Sequence, residues 1–197
     1  MKKIMVGFAL LLFSLPVFAQ LNAEQASIRK VFFDFLAFYK KNEKKFNSFK
    51  LYKGKSKDNN PPYHIQWKEA EKYFTYLRGS VPYVGEAYIN TEKEHFKFAD
   101  SCFKADPQDE IAAGFDFDRW AGGQESIEYT YIWYTSAKNK YKVTITGNTA
   151  VLKIGSRLMA GEAEKERSWS FVPFVKENGK WQIIFTRLMM ENNVIPI

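Results

Sequence analysis

The large hydrophobic residues of this chain change their spacing once, near residue 126, and this change limits the fold more than any other feature. Between residues 24 and 45 they recur every three or four positions, which is typical of a helix with one apolar face. These residues are Ile28, Val31, Phe32, Phe35, Leu36 and Tyr39. A short helix is also predicted from Trp67 to Leu77, and a longer helix from Pro82 to Phe103, because proline is favoured in a first helical turn. The first half of the chain is therefore predicted to be helical.

Beyond residue 126 the period becomes two, which predicts β-strands. One strand is predicted over residues 126–134, with large side chains on both of its faces. These faces hold Ile127, Tyr129, Tyr131 and Trp133 on one side, and Glu128, Thr130, Ile132 and Tyr134 on the other. Tight turns at Gly147-Asn148 and Asn178-Gly179 join further strands, over 141–146, 150–154, 166–175 and 181–187. Helices followed by hairpins predict an α+β fold, with the N-terminal helices packed on one face of an antiparallel sheet of about four strands.

The first nineteen residues have the order of a cleavable secretory signal. Lys2 and Lys3 precede an apolar run from Ile4 to Leu15, and Val17-Phe18-Ala19 places small residues where a signal peptidase reads them. The apolar run is about 12 residues long, whereas a membrane-spanning helix needs roughly 20. We therefore expect cleavage after Ala19 and a single domain over residues 20–197. The mature protein is expected in the bacterial periplasm or outside the cell, without membrane attachment.

The charge of the chain is concentrated in one basic stretch. The formal net charge is +7, and eight lysines lie between residues 40 and 57. A nucleic-acid groove would interleave arginines and aromatic rings on one face, but this stretch has no arginine and only Phe46, Phe49 and Tyr52. The stretch is therefore interpreted as a solvated helix end and loop, and no nucleic-acid partner is predicted.

No linear motif of a catalytic or metal site is present. Cys102 is the single cysteine, and it lies in an apolar pattern that predicts a buried core thiol. His64 and His95 do not belong to a spaced set of metal ligands. The sequence therefore predicts no catalytic residue, no metal and no cofactor, and it favours a non-catalytic protein over an enzyme.

Two aspartates, Asp116 and Asp118, lie in an irregular stretch between residues 106 and 126. Such a pair could bind Ca²⁺ or act as acid and base. An EF-hand would continue with Asp or Asn and then Gly, where this chain has Trp120 and Ala121. The favoured interpretation is structural, in which the carboxylates cap backbone N–H groups or pair with Arg119.

Three segments carry a resemblance to a known family. They are Val31-Phe32-Phe33-Asp34-Phe35-Leu36 in the first helix, the run from Asp116 to Glu125 that reads DFDRWAGGQE, and Trp181-Gln182-Ile183-Ile184 in the last strand. Over residues 24–188 the chain resembles NTF2-like domains and is similar to the secreted bacterial group DUF3828. The resemblance implies a cone in which a curved sheet wraps against the helices, and it marks Asp116, Asp118, Arg119 and Gln124 as loop candidates. It also implies a homodimer formed through the sheet. The family has no established activity, so the resemblance implies a fold and not a function.

A cone of this kind would offer a concave interior, which is the usual form of a ligand site. Inward rings are expected either to line this pocket or to fill it as core: Tyr129, Tyr131, Trp133, Trp169 and Phe171. The function expected is an exported, non-catalytic binding or accessory module for a small ligand or a peptide. One alternative is a pocket enzyme, a hydrolase or isomerase that uses Asp116, Asp118 or His95. The other is an interaction module that uses the outer sheet face, where Ile132 and Tyr134 would lie.

Overall fold

The structure, a computed structural model, describes residues 4–156 and 168–185, with side chains from residue 23 in the first range and from residue 169 in the second. The side chains of the predicted signal lie outside this description, so cleavage after Ala19 stays a prediction. Parts of the strands predicted over 166–175 and 181–187 also lie outside it. Within the described ranges, no helix combines the length and the apolar character needed to cross a bilayer.

The described residues form four helices: α1 (Ile4–Phe46), α2 (Trp67–Ser80), α3 (Glu86–Ala105) and α4 (Ile127–Thr135). The apolar stripe predicted for the first helix is confirmed, because most of its residues are almost completely buried. They are Ile28, Phe32, Phe35, Leu36 and Tyr39. The third helix begins four residues later than predicted. Its first N–H groups, those of Glu86 and Ala87, donate to the carboxylate of Glu177 at 3.3 and 3.1 Å.

The strand predicted over residues 126–134 is wrong, because this segment forms α4. Ser126 caps the helix, and its Oγ accepts the N–H of Tyr129 at 3.3 Å. Ile127, Thr130 and Tyr134 are buried at three- and four-residue spacing, which is the spacing of the inner face of a helix. Tyr134 was expected on an outer face, but its ring packs edge-on against Phe32 with centroids 5.7 Å apart.

The strands in the described part of the chain form two separate sheets. A short ribbon consists of β1 (Tyr52–Lys53) and β2 (His64–Ile65), and the predicted polar connector joins these two strands. The main sheet contains β3 (Lys140–Thr146), β4 (Thr149–Ser156), β5 (Ser168–Glu177) and β6 (Lys180–Ile183), antiparallel and in chain order. The α+β class and a four-stranded antiparallel sheet are therefore confirmed. The sheet is open, with β3 and β6 at its edges.

One face of the main sheet forms the core with the helices. Its buried side chains are Ala150, Leu152, Ile154, Val172, Phe174 and Ile183. They belong to the same cluster as the buried stripe of α1 and the inner residues of α4. The β5–β6 hairpin also holds α1 by polar contacts, since Glu24 accepts from Lys176 Nζ at 2.6 Å and from Trp181 Nε1 at 3.0 Å. Helices and sheet therefore meet through packed side chains.

Candidate ligand-binding cleft

One described cleft lies away from the main sheet, between the end of α1, strand β1 and the loop before α4. Its volume is about 620 Å³. Five aromatic residues line it: Phe49, Tyr52, Phe115, Phe117 and Trp120. The remaining wall residues are Asn47, Lys50, Leu51, Asn59, Asp118 and Arg119. The wall of the cleft therefore combines five aromatic side chains and one leucine with five polar side chains.

The local sequence explains how these rings come together. Helix α1 ends at Phe46, and a turn with Asn47 N–H donating to Glu43 C=O at 2.9 Å leads the chain into β1. The ring of Tyr52 on β1 then packs against Phe115, with centroids 4.8 Å apart. Phe115 and Phe117 stay half-buried, so parts of these rings remain accessible from the cleft.

Asp118 holds the loop in shape from the back of the cleft. Its Oδ1 accepts the backbone N–H groups of Trp120 and Ala121 at 2.9 and 2.8 Å, and its Oδ2 accepts the hydroxyl of Tyr39 at 2.7 Å. Burial, together with the adjacent Asp118 carboxylate, raises the pKa of Tyr39 well above its ordinary value. Both carboxylate oxygens of Asp118 are therefore used within the protein.

Arg119 belongs to a buried polar network behind the same wall. Its guanidinium donates to Glu92 Oε2 at 2.7 Å, and the hydroxyl of Tyr73 donates to the same oxygen at 2.8 Å. Trp120 Nε1 donates to the Tyr73 oxygen at 2.7 Å. Burial is the main reason that the pKa of Tyr73 is raised, and the neighbouring Glu92 carboxylate raises it further. The Arg119 guanidinium also lies 4.4 Å from the ring centroid of Phe96.

Sequence reasoning missed Glu92 and Tyr73, which complete this network. One signal was present for Glu92, because it is a charged residue within the apolar stripe of α3. The buried residues of that helix are Tyr88, Ile89, Glu92, Phe96, Ala99 and Phe103. A carboxylate on a buried stripe requires a partner, and the partner here is Arg119.

The loop candidates of the sequence divide into two groups. Asp118 and Arg119 line the cleft, whereas Asp116 and Gln124 are exposed and are not among its wall residues. His95 lies behind the loop, with Nε2 3.1 Å from the C=O of Gly114. Cys102, predicted to be a core residue, is only half-buried.

The five aromatic candidates do not meet at one place. Tyr129 stacks on Trp133 at 5.8 Å along α4, and half of the Tyr129 surface is exposed. Tyr131 packs under Lys40, whose Nζ lies 5.4 Å from the ring centroid. Trp169 and Phe171 lie on β5, where they pair with Gly155 and Lys153 of β4. This register puts both rings on the sheet face opposite the core.

None of these five residues is among the wall residues of the cleft. Trp169 and Phe171 instead flank Lys153, whose Nζ lies 4.6 and 4.8 Å from their centroids. Among the described residues, no group of three or more His, Cys, Asp or Glu side chains is arranged to hold a metal ion.

A second hollow of about 510 Å³ continues the cleft along β1. It shares Lys50, Tyr52 and Asn59 with the cleft, and its other wall residues are Lys53, Gln66 and Glu69. We call the two hollows together the β1 groove. No family model, curated protein or solved structure matches this chain. The β1 groove is therefore interpreted from its own residues.

Proposed function

We propose that this protein is an exported, non-catalytic binding module that holds a small ligand or a short peptide in the cleft of the β1 groove. The observation that carries the proposal is a cleft of about 620 Å³ with five aromatic wall residues. Ligand pockets usually enclose roughly 300–1,000 Å³ and combine apolar walls with a few polar groups. The wall is also fixed in advance by the internal bonds of Asp118 and Arg119, and preorganisation lowers the cost of binding.

The polar groups of the wall support binding rather than catalysis. Asp118 accepts three internal hydrogen bonds, and Arg119 is paired with Glu92. The other polar wall residues are Asn47, Asn59 and Lys50. The amides of Asn47 and Asn59 donate and accept hydrogen bonds but do not exchange protons as general acids or bases do, and Lys50 is an exposed side chain that supplies a positive charge. These groups are therefore suited to orienting a bound molecule.

We also propose that the domain is an NTF2-like cone of the secreted bacterial type and that it acts in the periplasm or outside the cell after cleavage behind Ala19. The order of elements supports this assignment, because a long first helix and three further helices precede the hairpins of the antiparallel sheet. The secretory pattern of the first nineteen residues supports the location.

A steric block tests the proposed function. Asn47 lines the cleft, whereas its exposed neighbour Ser48 is not among the wall residues. The exported chain and its Asn47→Trp and Ser48→Trp variants are screened by saturation-transfer NMR against small metabolites, oligosaccharides and short peptides. We expect at least one ligand whose binding falls about tenfold or more in Asn47→Trp, because an indole would fill the cleft. Binding should be retained in Ser48→Trp.

The two variants also define the result that would overturn the proposal. Ligands that bind equally to the wild type and to both variants would occupy another surface. A screen without any ligand sensitive to Asn47→Trp would likewise remove the cleft as the site. Circular dichroism of both variants verifies that the added indole leaves the fold intact.

A further inference from the structure

The ribbon formed by β1 and β2 has an open edge at Tyr52. The C=O of Leu51 accepts the N–H of Gln66 at 2.8 Å, and Tyr52 and Lys53 pair with Ile65 and His64. In an antiparallel pair, successive residues direct their backbone groups alternately toward the partner strand and away from it. The C=O of Leu51 points toward β2, so this alternation directs the N–H and C=O of Tyr52 away from it.

This open edge faces the β1 groove. Gly54 lies two residues after Tyr52, so its backbone N–H is directed to the same side of the strand. That N–H donates to Asn59 Oδ1 at 2.7 Å. Asn59 therefore lies on the open side of β1, and Asn59 lines both hollows of the groove together with Tyr52. A backbone donor and a backbone acceptor are thus presented beside the aromatic walls.

The electrostatic field at the groove is positive. Residues 40–60 contain eight lysines and only two carboxylates, Glu43 and Asp58, a net charge of +6 within a chain whose total is +7. Lys50 and Lys53 are exposed and line the groove itself. The carboxylates in the wall are already engaged, since Glu69 pairs with Lys72 and Asp118 is bonded internally. The groove therefore attracts an anionic ligand.

We infer that the ligand is an acidic peptide segment that binds in an extended conformation along the edge of β1. This inference rests on the proposed function and specifies its ligand class. The peptide exchanges backbone hydrogen bonds with Tyr52, as in the addition of a strand to a sheet edge. Alternate side chains then enter the aromatic cleft, and acidic side chains meet Lys50 and Lys53. An acidic saccharide could satisfy the lysines, but it has no peptide backbone to match the edge.

Peptide probes with different chemistry test this inference on the exported full chain. The first probe is a fluorescein-labelled heptapeptide of alternating phenylalanine and glutamate, and the second has lysine in place of glutamate. Two further versions of the acidic peptide carry N-methyl groups on either its odd or its even residues. A hexamer of uronic acid represents an acidic saccharide. Fluorescence anisotropy measures the affinity of each labelled probe.

The expected result has three parts. The acidic peptide binds at least tenfold more tightly than the basic one. A Lys50→Glu/Lys53→Glu variant loses this affinity at least tenfold, whereas Lys142→Glu/Lys180→Glu, with the same change of net charge on exposed sites of the main sheet, retains it. N-methylation weakens binding in only one of the two alternating versions, because a strand paired at one edge uses alternate N–H groups.

Other results would overturn the inference in distinguishable ways. Equal loss from both N-methylated peptides, or no effect of Lys50→Glu/Lys53→Glu, would exclude strand addition at this edge. A uronic acid hexamer that binds in a Lys50-dependent way while the peptides do not would replace the ligand class and leave the binding function standing. If no probe binds, the peptide assignment fails, and the Asn47→Trp screen decides separately whether the cleft is a binding site.

Discussion

Asp118 and Arg119 are neighbours in the chain, yet they have different partners. Asp118 closes its own loop by accepting two nearby backbone N–H groups, and it reaches across to Tyr39 on α1. Arg119 turns inward and pairs with Glu92, 27 residues earlier on α3. The wall of the cleft is thus held by one local cap and by one buried ion pair between distant segments.

The buried ion pair gives the first prediction. Glu92→Gln removes the negative charge and leaves the guanidinium of Arg119 in a site where only 5% of its side chain is exposed. Breaking a buried pair in this way typically costs about 3–5 kcal/mol. Urea denaturation should show this loss in the free energy of unfolding. Glu94→Gln, which breaks the exposed pair of Glu94 with Lys97, serves as the control and should cost less than about 1 kcal/mol. Equal losses would contradict the assigned role of Glu92.

Only the local part of this arrangement could be predicted from the sequence. An aspartate that caps the N–H groups two and three residues later is a property of short turns, and the structural interpretation of Asp118 was made on that basis. The partner of Arg119 depends on how α3 packs behind the loop. No spacing along the chain contains that information, and the charged residue in the apolar stripe of α3 indicates only that a partner is needed.

At the scale of elements, α4 is a segment in which hydrophobic periodicity does not distinguish a helix from a strand. Its nine residues read IEYTYIWYT, so large side chains occur on every side of the helix and also alternate with a period of two. Aromatic and β-branched residues favour strands, which explains the wrong prediction. The N-cap at Ser126 and the packing of Ile127 and Tyr134 against the core determine the helix instead.

The cap of α4 provides the second prediction. Ser126→Ala removes the oxygen that accepts the N–H of Tyr129, and loss of an N-cap costs about 1 kcal/mol. Thermal unfolding should show the decrease, and hydrogen exchange should be faster at the first N–H groups of α4. Ser101→Ala, within α3, should cause no loss, because alanine is favoured inside helices. A neutral Ser126→Ala would argue against the cap.

Elements with a clear local signal were predicted well. The apolar residues of α1 follow the helical period alone. The two hairpin turns require residues that tolerate positive φ, and Gly147, Asn178 and Gly179 have positive φ. The start of α3 was misplaced for a different reason. The cap of that helix is Glu177, about ninety residues later in the chain, so its first residue depends on the tertiary fold.

At the scale of the whole molecule, Glu24 links the beginning of the domain to its end. The hydrogen bond from Lys176 lowers the pKa of Glu24 most, and the hydrogen bond from Trp181 lowers it further below its ordinary value. A carboxylate with a lowered pKa in the folded state stabilises that state above the pKa of the unfolded chain, and the stabilisation is lost as the pH falls through the folded value. The link therefore weakens on acidification.

This link gives the third prediction. At pH 7 the wild type should be more stable than Glu24→Gln by a few tenths to about 1 kcal/mol, as for other partly exposed pairs. The difference should shrink as the pH falls below about 4.5, the ordinary value of the group, and it should be absent near pH 2. Urea denaturation of both proteins at pH 7, 4 and 2 measures it. If the stability difference between the wild type and Glu24→Gln grew as the pH fell, it would contradict a lowered pKa of Glu24 in the folded state.

The fold class could be predicted from the sequence, but the position of the cleft could not. Helices precede the main-sheet strands as the change of spacing predicts, although the change follows α4 and does not lie near residue 126. This order restricts the architecture. The cleft forms where the end of α1, strand β1 and the loop around Phe117 converge. These segments lie far apart in the chain, so their meeting follows only from the complete packing of the helices.

The β5–β6 hairpin holds two helices by side chains, α1 through Lys176 and Trp181 and α3 through Glu177. During translation this hairpin leaves the ribosome long after the helices that it completes. The nascent helices therefore lack their final cap and anchor until the hairpin has been made, and contacts between such distant segments form slowly. Native packing of α1 and α3 therefore follows the synthesis of this hairpin.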